Sequence, residues 1–183
     1  SNTTSTKLNS NKNAIAQKRE LTEVKDVADS LYEAAGKLTD TSASKSLFKK
    51  ADKVTNDITS AVKDYVKNYN SLIEEAADTT NSKVTGKVSF MTGQANAYKS
   101  SLEKVGITIN SDKTLSIDED TFKKSDISDV KKLFNGSGSM AYQTFVRASD
   151  ISSAAENASA SVTSYGADGM YNNYYNSAYN WYL

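Results

Sequence analysis

Apolar and small residues recur every three or four positions through most of the chain, which is the spacing of one face of an α-helix. Charged residues occupy the opposite face over residues 13–38, so this stretch is predicted to form an amphipathic helix that packs against a partner. The polar residues 39–42 end the predicted helix. Its stripe consists of Leu21, Val24, Ala28, Leu31, Ala35 and Leu38.

Two further long helices are predicted from the same spacing, over residues 43–78 and 84–105. The linker between the first two helices is short, which favours antiparallel neighbours. The stripe of the second helix is Leu47, Ala51, Val54, Ile58, Ala61, Tyr65, Leu72 and Ala76. The stripe of the third is Val84, Val88, Met91, Ala95, Tyr98, Leu102 and Val105.

Helical spacing gives way to strand alternation after Gly106, which is placed where a left-handed glycine would end a helix. Residues 107–109 and 115–117 alternate apolar and polar side chains and are separated by five turn-forming residues. This pattern predicts a β-hairpin over residues 107–117 with one apolar face. Asp118 and then Ser125 or Asp126 are predicted to cap two short helices. We call residues 106–134 the clip.

A glycine-rich stop at residues 135–138 separates the clip from a last predicted helix over residues 139–162. The stripe of that helix is poor in large side chains and includes Ala141, Phe145, Ala148, Ala155 and Val162. The sequence therefore predicts a mainly α fold, an elongated antiparallel helical bundle or coiled coil. The β-hairpin lies between helices three and four.

The predicted bundle covers residues 13–163 and is flanked by two segments of different composition. Residues 1–12 are rich in Ser, Thr and Asn and are predicted to be a disordered arm. Residues 164–183 are predicted to be a flexible, aromatic tail. Tyrosine and tryptophan bury a large area and keep a polar tip, which suits protein interfaces. The predicted partner-contact residues are Tyr171, Tyr174, Tyr175, Tyr179, Trp181 and Tyr182.

Composition narrows the classes of function. The 22 basic and 22 acidic residues give a formal net charge of +0, which argues against the basic surface that nucleic-acid binding requires. The absence of cysteine excludes disulfides and thiolate nucleophiles, and the absence of histidine removes the commonest metal ligand. No apolar run is long enough for a predicted transmembrane helix.

The polar residues between the two predicted strands are the nearest approach to a metal motif. Asn110, Asp112 and Thr114 alternate as the first ligands of a calcium loop do, but the glycine expected next is missing and Thr121 stands where glutamate is required. The acidic residues 118–120 are interpreted as a helix cap. We predict no catalytic, cofactor or metal site, and hence a protein that is not an enzyme.

Several short motifs resemble flagellar capping proteins, the hook-associated protein 2 family. Residues 62–72, VKDYVKNYNSL, resemble the family's V-x-x-F-V-x-x-Y-N-x-L helix. Residues 102–108 (LEKVGIT), 115–118 (LSID) and 130–134 (VKKLF) follow in the order of that family's L-x-x-x-G-I-T, G-x-L-x-(I/L)-D and V-x-x-L-F run. The resemblance covers roughly residues 60–135 and depends on the motifs occurring together.

The resemblance implies an exported axial component of the bacterial flagellum that has helical stalk segments and no enzymatic activity. Proteins of this family form an oligomer at the filament tip and assist flagellin insertion, and some contact host mucin. The expected partners are then further copies of this chain or other flagellar proteins, outside the cell. An alternative is a secreted or cell-surface helical-bundle adhesion module that binds a host glycan, mucin or cell-wall ligand through the tyrosine-rich tail.

Overall fold

The computed structural model describes residues 2–165 and confirms a mainly α fold with one small hairpin. Two strands, β1 (Ile107–Ile109) and β2 (Leu115–Ile117), pair antiparallel. A short 3₁₀ turn covers Asn96–Tyr98. The helices are α1 (Asn2–Thr39), α2 (Asn56–Ala76), α3 (Ser82–Ala95), α4 (Lys99–Lys104), α5 (Glu119–Lys123), α6 (Ile127–Phe134) and α7 (Met140–Tyr165).

Helices α1, α2, α3 and α7 form the bundle, and α1 and α7 pack along the greatest length. Tyr32 of α1 stacks on Phe145 of α7, and Asp29, one turn earlier in α1, accepts a hydrogen bond from Ser152. The contact made earlier in α1 is therefore to a residue later in α7, so the two helices are antiparallel. This arrangement agrees with the antiparallel helical bundle predicted from the sequence.

The predicted helical stripes form one continuous core. Every member of the first stripe, from Leu21 to Leu38, is at most 3% exposed. Large side chains of α2, including Tyr65, Tyr69 and Leu72, are fully buried in the same cluster. Burial of each Val, Leu, Ile, Phe or Met side chain contributes about 1.5–3 kcal/mol. An isolated helix cannot bury its narrow apolar face and is therefore not stable alone. Packing between helices therefore maintains the fold.

The predicted start of the second helix is wrong. Residues 40–55 form turns, and α2 begins only at Asn56, with Thr55 as the N-cap that accepts a hydrogen bond from the Ile58 N–H at 3.1 Å. Serine side chains bind the backbone within this segment, as in the Ser46 hydroxyl that accepts from the Phe48 N–H. Such local bonds compete with helix formation, and Phe48 is fully buried from the loop instead.

Two other helix boundaries differ from the prediction. Residues 2–12, predicted as a disordered arm, form the first turns of α1, although residues 3–12 are exposed. The sequence places no proline or glycine before Gly36, so nothing interrupts this helix. The predicted third helix is divided by the 3₁₀ turn at Asn96, and most of its stripe remains buried in α3 and α4.

The clip closes the end of the bundle where α1 ends and α7 begins. Asn135, just after α6, donates from its side-chain amide to the carbonyls of Leu38 and Asp40 at 2.8 and 3.2 Å. The predicted caps are confirmed, since Asp118 accepts from the Thr121 N–H and Asp126 accepts from the Ser128 N–H. Gly106 has φ +81°, which confirms the left-handed glycine at the end of α4.

Candidate functional site

A side chain of α2 holds the hairpin of the clip against the bundle. The Asn70 side-chain oxygen accepts from the Leu115 N–H at 2.7 Å, and its amide donates to the Leu115 carbonyl at 2.8 Å. Asn70 thus satisfies both backbone groups of a residue in β2, as a neighbouring strand would. This residue is the second asparagine of the VKDYVKNYNSL segment, so the motif has a structural role in docking the clip.

Aromatic rings from α2 and the clip pack behind this junction. Tyr65 and Phe122 both meet Phe134 edge to face, at ring-centroid distances of 5.6 and 6.4 Å. The Thr144 hydroxyl donates to the Met140 carbonyl, so the Tyr65 hydroxyl, 2.7 Å away, donates to Thr144. Burial raises the pKa of the Tyr65 phenol well above its ordinary value. Because its phenol is uncharged, hydrogen-bonded and buried, Tyr65 has a packing role.

An ion-pair network connects the clip to α2 at the surface. Glu119 lies between Lys123, 2.8 Å from its Oε1, and Lys63, 2.7 Å from its Oε2. Hydrogen bonds from Lys123 and then Lys63 lower the pKa of Glu119 to about 2. The Glu119 side chain is 39% exposed, so salt weakens these pairs and their contribution to stability is small.

The Glu119 network predicts a loss of stability in acid. Because the pKa of Glu119 is about 2 in the folded chain and 4.5 in the reference state, its stabilisation is present above pH 4.5 and is lost as the pH falls towards 2. Urea denaturation across this range should show a smaller decline for Glu119→Gln than for the parent chain. Glu33→Gln, on the exposed side of α1, is the control. Identical pH profiles for the parent chain and Glu119→Gln would contradict this assignment.

The residues that resemble a calcium loop form the turn of the hairpin. Asp112 accepts hydrogen bonds from both the backbone N–H and the hydroxyl of Thr114, and these bonds lower the pKa of Asp112. The Asn110 amide donates to the hydroxyls of Thr114 and Ser116. Among residues 2–165 no group of His, Cys, Asp and Glu side chains is arranged to hold a metal ion. The same part of the chain contains no helix with the length and hydropathy needed to cross a membrane.

The predicted partner-contact aromatics of the tail lie outside the described residues, so that prediction stays a prediction. They are Tyr171, Tyr174, Tyr175, Tyr179, Trp181 and Tyr182.

The structure reveals a second set of aromatics, which the sequence pattern did not indicate as a surface. Tyr32 and Tyr142 both stack on Phe145, at centroid distances of 4.2 and 6.1 Å, and each tyrosine is 39% exposed. We call these three residues the aromatic patch. Gly36 makes room for it, because a Cβ there would lie 3.1 Å from Cε2 of Phe145. The sequence offered two signals for this patch: Tyr142 lies three residues before Phe145, and Tyr32 lies four residues before Gly36.

A groove of about 890 Å³ lies between α1, α3 and α7, away from the clip. The groove lies beyond the C-terminal end of α2. Glu75, in the last turn of α2, lies beside Glu23 of α1, and the residues of α1 that line the groove precede Glu23. Asparagine and serine side chains mix with small apolar ones along it. Its lining includes Ala14, Gln17, Asn81, Asn157, Ala158 and Val162.

Comparisons with family models, with curated proteins and with solved structures found no match to this chain. The candidate surfaces are therefore interpreted from their own geometry and from the motifs of the clip.

Proposed function

We propose that the protein is a non-enzymatic assembly component that acts through contacts between copies of the chain. Its place of action is outside the bacterial cell, on the flagellum or cell surface, in the manner of a flagellar capping protein. The observation that carries this proposal is the aromatic patch on the α1–α7 helix pair, in which two exposed tyrosines, Tyr32 and Tyr142, stack on the partly buried Phe145.

Exposed aromatic rings of this kind are characteristic of interface centres. Tyrosine is enriched among the residues that dominate binding energy, because its ring buries a large area with little conformational freedom to lose. The three rings are already stacked, and Phe145 is wedged against Gly36, so little further ordering is needed on contact. We propose a second copy of the chain as the occupant of this surface.

The motifs of the clip support the same class of protein. Three residues belong to the segments that resemble flagellar capping proteins: Asn70 and Phe134 join the clip to α2, and Gly106 packs closely against Thr121 within the clip. These contacts stabilise the end of the bundle at which the clip is packed. A rigid bundle with an exposed aromatic surface suits assembly.

Sedimentation equilibrium tests the proposal. The full chain should self-associate, and a Tyr32→Ser, Tyr142→Ser double variant should weaken the association constant at least about tenfold, because truncating an aromatic residue at the energetic centre of an interface costs about 2 kcal/mol or more. Phe90→Ser is the matched control, since Phe90 is a 54% exposed aromatic of α3 outside the patch.

Two results would contradict the proposal. One is a full chain that sediments as a monomer at every accessible concentration. The other is equal weakening by Phe90→Ser and by the double variant, which would make the effect one of general surface hydrophobicity. Circular dichroism should show that the variants retain the helical content of the parent chain.

A further inference from the structure

Asn135 attaches the end of the clip to the end of α1. Its side-chain nitrogen, Nδ2, donates to the carbonyl of Leu38 at 2.8 Å and to the carbonyl of Asp40 at 3.2 Å. Because α1 ends at Thr39, the Leu38 carbonyl is one of the last four of the helix, which have no partner within it. We call the Asn135 side chain and these two hydrogen bonds the anchor.

The residue after Asn135 makes its side-chain amide chemically reactive. Asn135 is followed by Gly136, and no other asparagine of the chain precedes a glycine. An asparagine deamidates when the backbone nitrogen of the next residue attacks its side-chain carbonyl carbon, and a glycine has no side chain to hinder that nitrogen. The space beside Gly136 is also open, since a Cβ there would meet nothing within 4 Å.

Deamidation at this position has a defined course. The Gly136 nitrogen forms a bond to Cγ of Asn135 and gives up its proton, the bond from Cγ to Nδ2 breaks, and Nδ2 leaves as ammonia with that proton. Water then opens the resulting succinimide ring at either of its two carbonyl carbons, which leaves aspartate or isoaspartate at position 135. Ammonia is the only group lost and solvent water is the only co-reactant, so the reaction needs no enzyme.

The anchor controls this reaction because Nδ2 is both the donor of its two hydrogen bonds and the leaving group. Departure of Nδ2 requires both bonds to break, and each of them stabilises the closed position of the clip. The molecules that react are therefore those in which the clip has opened at this end. Such local openings cost less free energy than global unfolding.

The product of deamidation cannot restore the anchor. A carboxylate accepts hydrogen bonds but donates none, so it would place a negative charge against the carbonyl oxygens of Leu38 and Asp40. The C-terminal end of a helix carries partial negative charge, which further disfavours an anion beside the last turn of α1. The clip would then be held only by its other contacts, such as that of Asn70 with Leu115.

We propose that Asn135 is a deamidation site that reacts when the clip opens locally, and that its reaction detaches the clip from the end of α1 permanently. The structure places the single Asn-Gly step of the chain at the side chain that makes this attachment. Chemical change at one residue is thereby coupled to the position of the clip.

Mass spectrometry of proteolytic peptides measures aspartate and isoaspartate at position 135 during incubation at mildly alkaline pH. The folded chain should form both products, at least about tenfold more slowly than the chain unfolded in guanidinium chloride, because only the open fraction reacts. In the unfolded chain, Asn81, which precedes a serine, should react severalfold more slowly than Asn135. Gly136→Ala should slow the reaction at Asn135 to a similar degree, and this control does not depend on folding.

Asn135→Asp reproduces the charge of the product and tests the consequence of deamidation. It should lower the urea midpoint and speed trypsin cleavage after Lys132, in the last turn of α6, severalfold. Asn9→Asp adds the same charge at an exposed position of α1 and should leave both quantities unchanged. Deamidated parent chain, separated by ion exchange, should behave as Asn135→Asp does.

Three results would overturn the proposal. Equal reaction rates in the folded and unfolded chains would show that the anchor gives no protection. A folded chain without product, at a time when the unfolded chain has reacted completely, would show that the clip does not open. Parental midpoints and cleavage rates in both Asn135→Asp and the deamidated chain would show that Asn135 does not hold the clip. None of these measurements requires self-association, so their outcome is independent of the proposed assembly function.

Discussion

Replacing Gly106 with valine is expected to lower the free energy of unfolding by about 2–5 kcal/mol. Gly106 has φ +81°, a left-handed conformation that costs other residues about 1–2 kcal/mol. A Cβ at this position would lie 2.8 Å from Cβ of Thr121 and 3.1 Å from the Asp118 carbonyl oxygen. Steric conflict of this kind in a packed site costs about a further 1–3 kcal/mol.

Gly136→Val is the matched control for this prediction. Gly136 has φ +83°, nearly the same conformation, but a Cβ there would meet nothing within 4 Å. It should therefore lose only the conformational part, about 1–2 kcal/mol, in urea denaturation. If the two valine variants lose equal stability, the close packing of Gly106 against the start of α5 does not matter energetically.

Replacing Asn70 with alanine is expected to cost about 2–4 kcal/mol, because two hydrogen bonds are lost and both backbone groups of Leu115 are left without their partner. Leu115 is only 3% exposed, so water reaches these groups poorly. The Leu115 amide should also exchange its hydrogen faster with solvent, since release of β2 from α2 exposes it.

Asn68→Ala separates the docking role of Asn70 from a general effect of removing an amide from α2. Asn68 lies half a turn away and bonds only groups of Asp64 within its own helix, so its loss should change stability by less than about 0.5 kcal/mol. Urea denaturation and amide exchange of Leu115 measure both variants. An Asn70→Ala chain with parental stability and an unchanged Leu115 exchange rate would show that Asn70 does not dock the clip.

The sequence predicted elements whose determinants lie within a few residues of one another. The caps at Asp118 and Asp126 bind backbone groups two or three residues ahead, and Gly106 is the residue type that tolerates its own backbone conformation. Helical stripes are likewise local, because a repeat of three or four residues identifies the apolar face of a helix. The mainly α fold and the hairpin were therefore predictable.

The failures came from competition between local patterns and packing. Leu47, Ala51 and Val54 continue the helical stripe of α2, yet they belong to the turns of residues 40–55. Phe48 lies off that stripe and is fully buried, and serine bonds to the backbone stabilise the non-helical path that buries it. The spacing of apolar residues does not show which of two apolar faces the rest of the fold will bury.

The candidate surfaces depended on the tertiary structure almost completely. Asn70 meets Leu115 across 45 residues of sequence, and Tyr32 meets Phe145 from a different helix. A sequence pattern shows which face of a helix is apolar, but the identity of its neighbour is decided by how the helices assemble. By itself, the sequence determined most of the helices, the hairpin, the caps and the glycine at 106, because these are satisfied by nearby atoms. The docking of the clip, the aromatic patch and the groove exist only once distant segments have packed together.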